Sequence, residues 1–336
     1  MADTNQFPLR VMFEVTYRCN FHCRHCYVPL RYRKKEGELN TKEVFSLLRQ
    51  IRDAGCFYLG FTGGEPFMRD DIVAILWHAK KLGFQIMIYS NGSLIDRKMA
   101  RELSRLDPNK VDITIPAMST VVFEKITGEK GSWKRVFGAV DVLHKNGVNL
   151  GFKTCVLREN EQEIREIQDY AASLGTAVRL DTVLFPRLDG SQKPLRYQGS
   201  CDAEHWCADE PLSPSRASLH QKKVLNKEYL FRCGVGRSQV AISPFGKLKM
   251  CLMIDYPLYR IGDTSWKDSW EKLKGRVAAI ASANSLMCHK CKFGDYCKWC
   301  PARGWLAKKD FGACDSESYA WARQCGEYVR NKIAHR

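Results

Sequence analysis

Two periodicities alternate along the first half of this chain. Short runs dense in apolar and β-branched residues at 11–16, 57–62, 84–90, 111–115, 148–156 and 177–181 read as buried strands. Between them lie amphipathic stretches. Thr41–Asp53 sets Val44, Phe45, Leu47, Leu48 and Ile51 at helical spacing, with Asn40 or Thr41 as its cap and Gly55 closing it. Helices are also predicted over 70–82, ended by Gly83, over 95–106, stopped before Pro108, over 133–146, followed by Gly147, and over 161–174. Six strand–helix repeats of this length predict an α/β fold with a parallel sheet and right-handed crossovers.

The rhythm breaks at residues 185–229, where Pro186, Gly190, Pro194, Gly199, Pro211 and Pro214 interrupt any periodicity. This stretch reads as a bridge with a short helix at its end. Beyond it lies a hairpin-like pattern, 240–244 and 247–252 around Phe245-Gly246, and then a cysteine-dense tail. The expected division is therefore 1–185, a bridge over 186–229, and a small α+β part over 230–336.

Composition narrows the setting. Hydrophobic residues make up 45% of the chain, ample for a core, and no run of 18 apolar residues exists to span a membrane. Met-Ala-Asp-Thr-Asn-Gln at the start lacks the charged and apolar regions of a signal peptide, so a cytoplasmic protein is expected. Fifteen cysteines are then anomalous, and in that compartment they point to metal rather than disulfides. Cys56 and Cys155 are expected as packing thiols. Cys201 and Cys207 read as loop cysteines or a metal pair. The formal charge of +16 fits an acidic electron donor, an acidic peptide or nucleic acid. The run Arg31-Tyr-Arg-Lys-Lys35 reads as a solvated loop.

The chemistry concentrates after the first strand. Cys19, Cys23 and Cys26 form C-x3-C-x2-C, three thiols within eight residues. Such a loop can hold three corners of an iron–sulfur cube and leave one iron open. Zinc held by these three with His22 or His25 is the alternative. The second strand ends in Gly63-Gly64-Glu65-Pro66. Its glycines allow close backbone approach, Glu65 offers an acceptor for an ammonium, and Pro66 stops the strand. In this order and at this distance the two motifs resemble the radical S-adenosylmethionine (SAM) enzymes. The resemblance implies a partial (β/α)6 barrel of TIM type with a [4Fe-4S] cluster on Cys19, Cys23 and Cys26. It also implies SAM on the open iron, its amine against the GGEP loop. Cys19, Glu65 and Ser90-Asn91 all follow the carboxyl ends of strands, where barrel chemistry sits. His25 is expected to stack on adenine. Ser90 and Asn91 are expected at the ribose or carboxylate of SAM, or as caps of the next helix.

The tail carries Cys233, Gly246, Cys251, then Cys288-x2-Cys291-x5-Cys297-x2-Cys300, Cys314 and Cys325. A zinc ribbon would use four of these thiols. The spacing resembles the SPASM extension of radical SAM peptide-modifying enzymes, a small cysteine-rich domain with two auxiliary [4Fe-4S] clusters. The resemblance assigns Cys233, Cys251 and Cys300 to the first cluster and Cys288, Cys291, Cys297 and Cys325 to the second. Cys314 either completes the first or stays free. Two features depart from the family. Cys297 and Cys300 are one residue closer than usual, and Thr114-Ile-Pro-Ala117 replaces Ser-Leu-Asp-Gly. With all three clusters the net charge would fall to about +12.

The implied activity is a maturase that oxidatively modifies a ribosomal peptide by cross-linking or thioether formation. Asp255 is the candidate proton acceptor, or else a surface turn residue ahead of Pro257. A flavodoxin- or ferredoxin-type electron donor is expected. Eighteen residues before Cys19 are too few for a leader-binding domain, so a separate leader-binding protein or direct substrate contact is expected. No RNA-binding module is visible, which argues against nucleic acid. The alternative is a sulfatase-maturase-like dehydrogenase, or an enzyme acting on a tetrapyrrole or other small metabolite.

Overall fold

One sheet organises the computed structural model, which describes residues 7–34, 36–199, 231, 233–256, 259–261, 265–283, 291–297 and 300–334. Among these residues nine strands join in the order β6-β5-β4-β3-β2-β1-β7-β8-β9. The first six are β1 (Arg10–Thr16), β2 (Tyr58–Gly63), β3 (Gln85–Ser90), β4 (Lys110–Thr114), β5 (Leu150–Cys155) and β6 (Val178–Asp181). Each pairs in parallel with the next, as the six repeats require.

The crossovers are α1 (Thr41–Asp53), α2 (Ile72–Lys81), α3 (Arg97–Leu106), α4 (Thr120–Thr127), α5 (Ser132–Lys145) and α6 (Ile164–Ser173). On α1 the residues at helical spacing, Val44, Leu47, Leu48 and Ile51, are the ones buried. A capping box starts it: Asn40 accepts from Lys42 and Glu43 backbone N–H groups, and the Glu43 carboxylate returns to Asn40 N–H. Helix α4 was not expected. It is eight residues long, exposes Val121 and buries only Phe123, Ile126 and Thr127, too small a stripe to read as a period.

The strands alternate between two faces. Val11, Phe13, Val15, Leu59, Phe61, Ile86, Ile88, Val111, Ile113 and Phe152 form one core beneath the helices. The other face carries Glu14, Thr62, Tyr89, Asp112, Lys153 and Asp181. Gly151 keeps that face open for polar groups. A Cβ there would stand 2.0 Å from Lys110 Cε and 2.1 Å from Asp112 Oδ1, an ion pair 3.8 Å apart. The fold is the mixed α/β, largely parallel architecture of a partial barrel, and its inner face is polar.

The sheet continues past β1. Strand β7 (Gln239–Ile242) pairs parallel to β1, Val11 opposite Val240, and then β8 (Lys247–Lys249) and β9 (Tyr259–Arg260) add in antiparallel fashion. The expected hairpin thus extends the barrel sheet directly. Helices α7 (Trp266–Ala283), α8 (Pro301–Lys308) and α9 (Ser316–Ala334) complete the C-terminal part. It is fastened by Arg303, 1% exposed, which binds Asp315 through two hydrogen bonds of 3.0 and 2.8 Å and donates to Leu184 O at the barrel end. Residues 200–230, with Cys201, Cys207 and the expected short helix, lie outside the described residues.

Candidate metal and cofactor site

Beyond β1 the chain turns into the cysteine loop. Cys26 N–H donates to Cys23 O at 3.1 Å, which tightens the loop. His22 and Arg24 N–H groups anchor it on Thr127 O (2.8 Å) and Ile126 O (3.2 Å) of α4. The three thiols are electrostatic neighbours of one another. Burial pushes Cys19 up to about 11, and burial with the two other thiols pushes Cys23 well up. Enclosed thiols that oppose one another's ionisation are a donor set that a cationic iron–sulfur core would stabilise as thiolates. Each end of the trio already has donors. Phe21 N–H lies 3.4 Å from Cys19 Sγ, Asn91 Nδ2 lies 3.9 Å from it, and Arg33 Nη2 lies 3.4 Å from Cys26 Sγ. Among the described residues no three ligand-type side chains close on a single-ion position. Three corners of a cube do not require that convergence. The residues present fit the cluster.

Arg33 belongs to the basic run expected as solvated loop. It instead turns inward to Cys26 and to Phe21 O.

The GGEP loop clasps the cysteine loop from below. Gly64 N–H donates to Thr16 O and Glu65 N–H to Arg18 O, both at 2.8 Å. Gly63 has φ +131°, and a Cβ there would stand 2.1 Å from Thr16 O. A Cβ on Gly64 would stand 2.2 Å from Arg18 O. The close approach these glycines permit on their Cβ side is therefore to the cluster loop's own backbone. Pro66 opens a 3-10 turn, Pro66–Met68.

Glu65 joins two strands. Its side chain is fully buried and accepts from Ser90 Oγ (2.8 Å), Asn91 N–H (2.7 Å) and Phe67 N–H (3.1 Å). Burial raises its pKa to about 7 against these hydrogen bonds. The carboxylate ties the end of β2 to the end of β3, with Oε1 bonded to Ser90 and Phe67 and Oε2 to Asn91 N–H. Ser90 and Asn91 do not cap the next helix; Asp96 caps α3 through Met99 N–H at 2.7 Å. Ser90 Oγ instead also accepts from Gly92 N–H. Asn91 bridges Asn20 and Ser93 beside Cys19.

One inner-face residue escaped the sequence reading. Lys153 on β5 has its ammonium 5.0 Å from the Tyr89 ring centre and has no ion-pair partner among the described residues. Burial and nearby Arg179 lower its pKa. His25, with Nδ1 buried and unpartnered, feels this cation and is pushed down to about 4 by burial and Lys153. Cys155 packs against the buried cluster of Ile126, Leu157 and Leu184, as expected of a packing thiol. It is half-buried at the end of β5, within electrostatic range of Cys23 and Cys26. Placement on an inner-facing strand position was the one signal that could have found Lys153.

The C-terminal cysteines fall into two groups. Cys251 has Cys300 and Cys233 as electrostatic neighbours, and burial raises it. Burial likewise pushes Cys300 up to about 11. Cys314 has Cys291 as an electrostatic neighbour. Cys325, expected as a free thiolate rather than half of a disulfide, is buried on α9 and is disulfide-bonded in this structure. Its neighbour Gly326 lets α9 close on the turn bearing Cys291 and Cys297, since a Cβ there would stand 2.9 Å from Tyr296 Cδ2. Cys288 lies outside the described residues. Asp255 is no simple turn residue; it ion-pairs with the buried Lys249 at 2.8 Å.

Residues 13–171 match the radical SAM superfamily. Over 323 residues the chain is 24% identical to an AdoMet-dependent heme synthase of Oleidesulfovibrio alaskensis, covering 88% of this chain and 82% of that one. Over 335 residues it is 25% identical to the subtilosin biosynthesis protein AlbA of Bacillus subtilis, covering 92% and 71%. In fold it is similar to Streptococcus suis SuiB bound to S-adenosylmethionine, with TM-score 0.71 and 16% identity over 93% of this chain and 77% of that one. SuiB bound to its precursor peptide SuiA superposes with TM-score 0.70. Among the described residues no helix is long and apolar enough to cross a membrane.

Proposed function

This chain carries a radical SAM domain in residues 13–171, and from that premise we propose that it oxidatively modifies a ribosomally made peptide by cross-linking or thioether formation. The carrying observation is the gathering of Cys19, Cys23 and Cys26 at the end of β1 with the GGEP loop clasped beneath them. When bound, a [4Fe-4S] cluster and SAM supply a 5′-deoxyadenosyl radical. The chain's residues provide the rest. Cys19, Cys23 and Cys26 hold the cluster. The backbone of Gly63, Gly64 and Glu65 shapes the floor. Lys153 gives SAM's carboxylate a charge partner, while Asn91 and His25 flank the ribose and adenine. Ser90 acts through Glu65.

Beyond the barrel, Cys233, Cys251 and Cys300 would hold one auxiliary cluster, and Cys288, Cys291, Cys297 and, once its disulfide is reduced, Cys325 the other. Cys314 stands beside the second. Asp255 takes the substrate proton. A small acidic flavodoxin or ferredoxin delivers the electron to the basic surface. AlbA's part in subtilosin biosynthesis and the SuiB–SuiA complex support a peptide substrate. The similarity to a heme synthase supports a second reading, a tetrapyrrole substrate.

Anaerobic incubation with SAM, a low-potential reductant and candidate peptides, read by mass, separates the two. Loss of about two daltons from a peptide, the mass of two hydrogens, supports oxidation. Turnover confined to a tetrapyrrole overturns the peptide reading.

A further inference from the structure

A buried polar network joins the cysteine loop to the turn after Cys251. Glu14 on β1 and Lys249 on β8 are both fully buried and lie 3.0 Å apart. They are 235 residues apart in sequence. Glu14 also accepts from Tyr17 Oη at 2.9 Å and Tyr27 Oη at 3.1 Å, and these tyrosines stand on either side of the cysteine loop. The Lys249 ammonium reaches Asp255 Oδ1 at 2.8 Å, Leu252 O at 3.0 Å and Tyr17 Oη at 3.4 Å. One cation therefore holds the start of the cysteine loop, a carbonyl of the turn after Cys251, and the carboxylate of Asp255. Of the three ionised groups only Asp255 keeps an open side, with 28% of its side chain exposed.

A buried ammonium is stable only when paired and saturated with acceptors. Two carboxylates and a carbonyl meet that need here. A hydrophobic residue of similar volume would have filled the space without demanding any of them. What the lysine adds is position. It fixes where the one accessible carboxylate stands relative to the thiol loop.

We propose that Lys249 is a positioning residue that, with Glu14, holds the Asp255 carboxylate toward the substrate and in register with the cysteine loop. This rests on the reading of Asp255 as proton acceptor. With its cofactors bound, the site would supply a radical to remove one hydrogen atom from the substrate and an iron–sulfur acceptor for one electron, and Asp255 would take the accompanying proton. Two hydrogens leave, and Asp255 is the protein group that changes protonation.

The test combines hydrogen exchange on the cluster-free protein with a double-mutant cycle on the loaded one. In Lys249→Met, amides of residues 17–27 and 250–256 should lose protection together, by about tenfold or more, while β4 stays protected. Glu14→Gln, which keeps the shape, should produce the same paired loss. If β4 also loosens in Lys249→Met, Glu14→Gln alone decides. In the cycle, Lys249→Met should lower product formation through kcat more than KM, and Lys249→Met/Asp255→Asn should be no slower than Asp255→Asn. Loosening of 250–256 without 17–27, or a double variant slower by the product of the single effects, overturns the proposal. Normal product from Asp255→Asn would instead sink the proton-acceptor reading while leaving the paired exchange intact.

Discussion

The barrel and the C-terminal part assemble their thiols in opposite ways. In the barrel, three cysteines share one loop of eight residues, and the backbone bonds of that loop, α4 and the GGEP turn set their placement. In the C-terminal part, the neighbours of Cys251 are Cys233, 18 positions earlier, and Cys300, 49 positions later. A contiguous loop tolerates weak tertiary packing because its geometry is local. A dispersed set depends on every contact that holds remote segments together. The first kind can be read from local spacing; the second was expected here only through a family resemblance.

The sharpest way to break this contrast is at Asp315. It neutralises the buried Arg303 that pins α8 to the barrel end. Asp315→Ala leaves that guanidinium with Leu184 O and the longer Glu317 contact at 3.6 Å, and should cost about 3 kcal/mol in urea unfolding of the cluster-free protein. The loss should fall on the Cys233–Cys251–Cys300 set and spare the cysteine loop. Equal loosening of both would erase the distinction.

Gly64 tests the local half. Its added Cβ would meet Arg18 O at 2.2 Å and Tyr17 O at 2.6 Å, both backbone atoms that cannot yield cheaply. Gly64→Ala should destabilise by about 3 kcal/mol and lower iron binding at the first site, with auxiliary iron unchanged. Retained iron at the first site would show that the clasp is dispensable.

Glu65 supplies a pH signature for the same clasp. Its folded pKa, about 7, lies above the ordinary 4.5 because burial opposes the charge. The folded state thus binds this proton more tightly than the unfolded one. Its contribution is fully present below about pH 4.5 and is lost as pH rises through about 7, a change on the order of 3 kcal/mol. The stability of the cluster-free protein minus that of Glu65→Gln should fall over this window. A difference constant from pH 5 to 8 would contradict the assignment.

The smallest effect is expected at Cys155. It lies near the loop but outside its C-x3-C-x2-C motif, so Cys155→Ser should change stability by less than about 1 kcal/mol and leave first-site iron intact. Loss of that iron would make the local set less local than the loop implies.

What the sequence revealed follows the same line. The six strand–helix repeats, the α1 cap at Asn40 and the cysteine loop were legible because each depends on residues close in the chain. Helix α4 was missed for want of a wide apolar stripe. The pairing of β7 with β1 could not be read, since a strand's partner is not written in its own pattern. Asp255 was noticed as an acid, but the buried cation that orients it depends on Glu14, far away on β1. Arg33 looked like one more charge in a basic run until the fold turned it onto Cys26.

The most direct measurement is 5′-deoxyadenosine release under strict anaerobiosis, with reductant and SAM, by reconstituted protein of known iron content. Alanine at Cys19, Cys23 or Cys26 should lower release by more than about a hundredfold. Alanine at Cys300 should remove auxiliary iron yet keep release within about tenfold. Undiminished release from the Cys19, Cys23 and Cys26 variants, or a protein that takes up only zinc, would contradict the account at its root.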